Sequence, residues 1–267
     1  MLSHAVMTEL QCVRRAAIMV CAIAFVPMSA DPVLAAGCSF EPQGEGRVAA
    51  VIDARTLRLQ DGREVRLAGI EPTAAEKSSR SAALSAIVAN RDVTLSGEDD
   101  TPDRYGRQPA FVFLTSSDTP VQNLLLAQGE ALVSGTVPDK DCAAALLAAE
   151  AEARRAKRGI WADPSAIKNA ESPGDILAGI GRFAVVEGKV LSVRQAGATT
   201  YLNFGRNWTR DFAVTISKHI LPTFETAGIG LKSLENRRIR VRGWVEARGG
   251  PRIELLRVGQ IELLGGN

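Results

Sequence analysis

Between positions 201 and 212, four aromatic side chains (Tyr201, Phe204, Trp208 and Phe212) interleave with Arg206 and Arg210. Flat rings stack on unpaired bases and guanidinium groups meet phosphates, so the pattern suits single-stranded nucleic acid or another polyanion. Tyr201, Phe204, Arg206, Trp208 and Arg210 are therefore candidate ligand contacts. Arg237, Arg238, Arg240 and Arg242 add further cations on what reads as a strand. A structural reading competes: the aromatics fill a small barrel, Trp244 joins its core, and Arg240 and Arg242 are the solvent side of Ile239, Val241 and Gly243. Both readings stand at this point.

Other chemistries lack their residues. The chain has 2 His and 4 Cys, and the N-terminal segment holds one of the former and two of the latter. What remains is too little for a Cys₄ or Cys₂His₂ zinc site. His219 alone cannot serve a Ser–His–Asp or Cys–His arrangement and reads as a surface or capping histidine. Gly228-Ile229-Gly230 is not followed by a phosphate-loop or dinucleotide pattern and reads as a turn.

Arg14 and Arg15 precede an apolar run from Ala16 to Met28, the length of a signal-peptide core and short of a bilayer span. Small residues follow in Val33-Leu34-Ala35-Ala36-Gly37. Residues 1–36 thus read as a signal peptide, giving a periplasmic or secreted protein with no membrane span once it is removed. A membrane-anchored N-terminus and lipidation at Cys38 are the alternatives. The cysteines left after cleavage are Cys38 and Cys142. An even pair in an oxidising compartment predicts one disulfide, against two unrelated buried thiols. It would close a loop of about 100 residues, which the chain-entropy model values at roughly 4–5 kcal/mol.

The 267 residues are 46% hydrophobic and 23% charged, the composition of a globular chain with one large or two small domains. Turn residues in Asp163-Pro164-Ser165 and Glu171-Ser172-Pro173-Gly174 mark a linker over 164–181. The net charge of +2 hides an asymmetry: residues 37–174 carry 16 basic and 20 acidic side chains, whereas residues 175–267 carry 14 and 8. The C-terminal half is the better partner for a polyanion.

The elements that must position these groups follow from periodicity. Strands are expected at Arg47–Asp53, Thr56–Gln60 and Glu64–Ile70, with Asp61-Gly62 as a hairpin turn. Thr73 and Glu76 form a capping box for a helix to about Asn90. Strands at Val93–Leu95 and Ala110–Leu114 flank the polar loop 98–107. A short helix spans Val121–Gln128, and a long one runs from near Asp141 to Gly159, with Gly159 at C′ and Glu150 and Arg154 on its solvated face. In the second half, strands are expected at Phe183–Arg194, Thr200–Phe204 and Phe212–Ser217. A helical or irregular stretch over Lys218–Leu234 and a hairpin of Arg238–Ala247 with Arg252–Leu256 complete it. Three strands, a helix and two strands is the order of a small oligonucleotide-binding (OB) barrel over residues 182–267.

Residues 47–163 resemble the staphylococcal nuclease (thermonuclease-like) family. The resemblance rests on Val51-Ile52-Asp53-Ala54-Arg55-Thr56-Leu57, Val65-Arg66-Leu67-Ala68-Gly69-Ile70-Glu71, Asp103-Arg104-Tyr105-Gly106-Arg107, Asn123-Leu124-Leu125-Leu126-Ala127-Gln128-Gly129 and Arg158-Gly159-Ile160-Trp161. It implies an α+β fold over 37–163, a five-stranded OB-type barrel flanked by helices, and Ca²⁺-dependent cleavage of DNA and RNA phosphodiesters.

The family's site maps onto this chain residue by residue. Arg66 and Arg107 take the places of the two phosphate arginines, and Glu71 stands where a metal-binding Asp is usual. These three are the candidate catalytic residues, and Tyr105 is a candidate substrate contact. Two positions depart from the pattern. Arg55 replaces the first metal Asp, and Ala74 replaces the carboxylate that acts on water. A cation about 4 Å from a divalent ion, at an effective dielectric near 20, costs several kcal/mol. The family's nucleotide-stacking tyrosines fall near Gly135 and Val137. Asp53 is no obvious substitute ligand, and capping occupies Glu76. The expectation is an internal ion-pair network of Arg55, Glu71, Arg66 and Arg107, with no metal ligand assigned and Ca²⁺ required only if the site works. Three functions follow: a nucleic-acid or polyanion binder with a degenerate phosphodiesterase site, an active nuclease using Arg66, Glu71 and Arg107, or an envelope interaction module.

Overall fold

A computed structural model describes residues 38, 40–73 and 77–265. The expected signal peptide, Ala74 and the Glu76 half of the capping box lie outside them. The first half runs β1 (Glu41–Asp53), β2 (Thr56–Leu59), β3 (Glu64–Leu67), β4 (Ile70–Pro72), α1 (Lys77–Val88), β5 (Asp92–Gly97), β6 (Gln108–Leu114), α2 (Val121–Gln128), β7 (Ala131–Val133) and α3 (Lys140–Arg155). Five strands close into a barrel in the order β1-β2-β3-β6-β5. β1 serves two neighbours, pairing with β5 through its first half and β2 through its second, with a register shift on each side. Bulges of this kind bend a strand around a barrel. Alternation points Leu57, Leu59, Val65, Leu67, Val93 and Leu95 inward. β4 and β7 form a small separate ladder outside the barrel.

Helix α2 ends at Gly129, which adopts the left-handed conformation (φ 75°) and closes the helix through its N–H. Asp139 caps α3 by accepting from the Cys142 N–H at 2.7 Å. α3 ends at Arg155, short of the expected Gly159. That glycine has another duty: a Cβ there would lie 2.5 Å from the Gly129 carbonyl oxygen. Ile160 N–H donates to the same oxygen at 3.0 Å. The Cys38–Cys142 disulfide is present, bridging a separation of 104 residues.

The second half runs β8 (Ile167–Asn169), α4 (Pro173–Leu177), β9 (Phe183–Lys189), β10 (Ser192–Ala196), β11 (Thr199–Asn203), β12 (Ala213–Ser217), α5 (Leu221–Thr226), β13 (Arg238–Arg248), β14 (Gly250–Leu255) and β15 (Ile261–Leu263). The strand expected over Phe183–Arg194 divides. Val190 N–H donates to Arg237 O and Leu191 N–H to Asn203 O, so the chain changes partners between these two residues. The sheet order is β10-β11-β12-β14-β13-β9-β8, with β15 on β13. This order is open, unlike that of the first barrel, although β9 and β10 are consecutive in sequence. Segment 164–181, expected as a linker, carries β8, parallel to β9, and α4, which buries Ile176.

The two halves meet over Leu132, Ala153, Trp161 and Val185. Across this seam runs an ion pair that overturns two expectations: Arg242 and Glu150 were both placed in solvent, yet both side chains are fully buried. Arg242 reaches Glu150 through two bonds of 3.0 and 3.1 Å and also donates to the Val133 carbonyl. Burial works against the Arg242 charge, but Glu150 and Glu262 outweigh it and raise its pKa. Arg240 pairs with Glu187 and Glu262 at 3.0 Å each, and Arg238 pairs with Glu187. The arginine face of β13 is consumed by carboxylates and is not a surface for a polyanion. Trp244, which the competing structural reading places in the core, is 46% exposed and packs edge-on to Phe183. Among the described residues, no helix is long and apolar enough to cross a membrane.

Candidate functional site

At the mouth of the first barrel, the turn from β1 to β2 presents Arg55. Its own N–H donates to the Asp53 carboxylate at 2.9 Å, so Asp53 caps the turn rather than pairing with the guanidinium. The Arg55 guanidinium forms a close ion pair with Glu71 on β4. Strand alternation on β3 buries Val65 and Leu67 and turns Arg66 to the same mouth. Arg66 lies 3.5 Å from Glu71 and 4.0 Å from Asp103. Arg107, just before β6, donates to Asp103 from Nε at 3.0 Å and Nη2 at 2.8 Å.

The expected network of Arg55, Glu71, Arg66 and Arg107 is thus brought together, with Asp103 as a further link. Its signal in the sequence was a turn: Asp103 also accepts from the N–H groups of Tyr105 and Arg107, folding the loop back at Gly106. Burial pushes the Asp103 carboxyl up, but the bonds from Arg107 and Tyr105 outweigh it and hold it at about 2. Burial and the nearby Arg55 charge lower Arg66, with Glu71 opposing them. Tyr105 is exposed, its ring flanked by the guanidinium groups of Arg104 and Arg107 at 4.8 and 4.9 Å.

Ca²⁺ takes six to eight oxygen ligands, several of them carboxylate. These residues do not fit it. Both Glu71 oxygens face guanidinium groups, Asp103 is forked to Arg107 and Asp53 is spent on a turn. Arg55 puts a positive charge against the one carboxylate at a metal position. Among the described residues, no three His, Cys, Asp or Glu side chains converge as a metal site.

A second constellation lies on the C-terminal half. A groove of about 680 Å³ is lined by Leu191, residues of β10 and β11, the loop after β11 and one residue of β14. It gathers Tyr201, Arg206 and Trp208 from the predicted set. Phe204 is corrected: it is 4% exposed and packs on Phe212 in the core. Residues three apart on a strand face opposite sides, so Tyr201 and Phe204 cannot share a platform. Arg210 is exposed but does not line the groove. Sequence reading missed Arg194 and Arg252. Arg194 sits directly across the β10–β11 ladder from Tyr201, and the Arg252 guanidinium covers the Tyr201 ring at 5.5 Å. Both positions depend on strand register, which residue types alone do not reveal.

The family model for the staphylococcal nuclease homologue matches residues 65–163. With the closed barrel and its helices, this establishes a staphylococcal nuclease-like domain in the first half. Such a domain is a nuclease-like, nucleic-acid-binding fold, and the family is typically Ca²⁺-dependent. No curated protein matches the chain.

Proposed function

We infer that this chain is an exported nucleic-acid binder whose nuclease-like domain has lost efficient cleavage. One observation carries the reading: Glu71, the single carboxylate at a metal position, is neutralised by Arg55 and Arg66. A carboxylate so paired does not hold a divalent ion, and Ala74 supplies no base for water. Export is supported by the Arg14–Met28 pattern and by the Cys38–Cys142 pair, which persists in oxidising compartments. The second half is read as an OB-type barrel whose strand over Phe183–Arg194 breaks at Val190–Leu191.

The test is cleavage of single-stranded DNA and RNA with Ca²⁺, Mg²⁺, Mn²⁺ or EDTA. An Arg66→Ala/Arg107→Ala variant controls for contaminating nuclease. The expected outcome is no cleavage above the control together with retained binding in EDTA. Metal-dependent cleavage lost in the variant would identify an active nuclease instead. Absence of any oligonucleotide binding would favour the envelope interaction module.

A further inference from the structure

The groove on the C-terminal half differs from every other charged surface described above. Three arginines line it, Arg194, Arg206 and Arg252, with Tyr201 and Trp208, and no carboxylate does. Among the described residues, none of these three arginines forms an ion pair. Glu235 is near enough to Arg194 to feel its charge, but it pairs with Lys232 at 2.6 Å. Trp208 is 74% exposed on the loop after β11, a large apolar ring left in water beside free cations. Tyr201 forms part of the floor, on the outward face of β11, where its neighbours Thr200 and Leu202 are buried.

We propose that this groove is a single-strand nucleic-acid site, in which an unstacked base lies between Tyr201 and Trp208 while Arg194 and Arg206 receive the flanking phosphates. The proposal rests on the binder reading and gives it a place. An exposed indole at Trp208 and cations without counter-charges are the two groups that a base and its phosphates require. A duplex hides its base faces in the stack, so only an unpaired strand can use the rings. Arg252, already over the Tyr201 ring, extends the platform as a second flat surface. The excess positive charge of residues 175–267 draws a polyanion to this half. No metal is needed, because the counter-charge is built from side chains.

The test uses the oxidised protein in EDTA, with Trp244→Phe so that Trp208 is the only exposed indole. Binding of a labelled oligothymidylate of about ten nucleotides is followed by anisotropy and by Trp208 emission. Inorganic polyphosphate of matched charge is the base-free probe. The expected result is quenching by the oligonucleotide alone. Trp208→Ala should weaken oligonucleotide affinity about ten-fold and leave polyphosphate affinity unchanged, whereas Arg206→Glu should weaken both. Trp208 is an exposed loop residue, so its replacement leaves the fold intact. If wild-type protein binds the oligonucleotide but Trp208→Ala and Tyr201→Leu bind it equally well, the groove is not the site, although the binder reading survives. Equal quenching by polyphosphate, or tighter binding of an acidic peptide, would overturn the base-stacking role. No oligonucleotide binding at all would remove the binder reading itself.

Discussion

Arginines gather in three places in this molecule, and their neighbours give them three different fates. At the mouth of the first barrel, Arg55, Arg66 and Arg107 share Glu71 and Asp103. On β13, Arg238, Arg240 and Arg242 interlock with Glu187, Glu262 and Glu150. Along the groove, Arg194, Arg206 and Arg252 share the lining with Tyr201 and Trp208 and with no carboxylate, and Arg252 covers the Tyr201 ring. Counting basic residues would rank β13 first for a polyanion. Counting counter-charges ranks it last and the groove first. Availability of a guanidinium is set by the carboxylates that fold against it.

Among the three arginine groups, the largest effect that would break this comparison is on the seam. Arg242→Ala leaves Glu150 charged and buried with Arg154 as its remaining ion partner, so stability should fall by about 3 kcal/mol, the low end for breaking a buried pair. Urea denaturation read by far-UV dichroism would measure it, and a change under about 1 kcal/mol would show that the pair is not structural. Next is the aromatic pair that the sequence placed together. Phe204→Ala should cost about 3–5 kcal/mol as a core truncation, while Trp208→Ala should stay within about 0.5 kcal/mol as an exposed substitution. The same denaturation curves compare them directly, and equal losses would erase the distinction between core and groove.

A third change sharpens the contrast at the barrel mouth. Arg55→Asp removes the cation from Glu71 and restores an oxygen ligand, so millimolar Ca²⁺ should raise the melting temperature of the variant and not that of wild type. Scanning calorimetry with and without EDTA reads this, and a wild-type response equal to the variant's would contradict the ion-pair account. The smallest expected effect is in acid. Asp103 is held at about 2, below the unfolded value of about 3.9. Its contribution is therefore complete above the unfolded pKa and is lost as pH falls through the folded one. Asp103→Asn should flatten the stability profile between about pH 4 and pH 2, as measured by denaturation at each pH.

Much of the first half was legible because its signals are local. Helix α2 with Gly129, the hairpin at Asp61-Gly62 and the meeting of Arg55 with Glu71 are all carried by residues close in sequence or by motif blocks of fixed order. The Arg242–Glu150 pair was not, because its partners are 92 positions apart. Alternation puts Arg238, Arg240 and Arg242 on one face of β13, but only the placement of α3, β9 and β15 decides that carboxylates meet them. Phe204 was a different kind of miss, since strand parity alone separates it from Tyr201. The division of Phe183–Arg194 depends on which strand each piece meets, a choice made by tertiary pairing.

The most direct measurement compares the salt dependence of oligonucleotide binding in EDTA for wild type, Arg66→Ala/Arg107→Ala and Arg194→Ala/Arg206→Ala. Each phosphate contact on a single strand contributes about 0.7 to the slope of log K against log salt. The groove variant is expected to lose about 1.4 of slope, with the barrel-mouth variant unchanged. Loss of slope in the barrel-mouth variant alone would mean that the paired arginines, not the free ones, hold the nucleic acid.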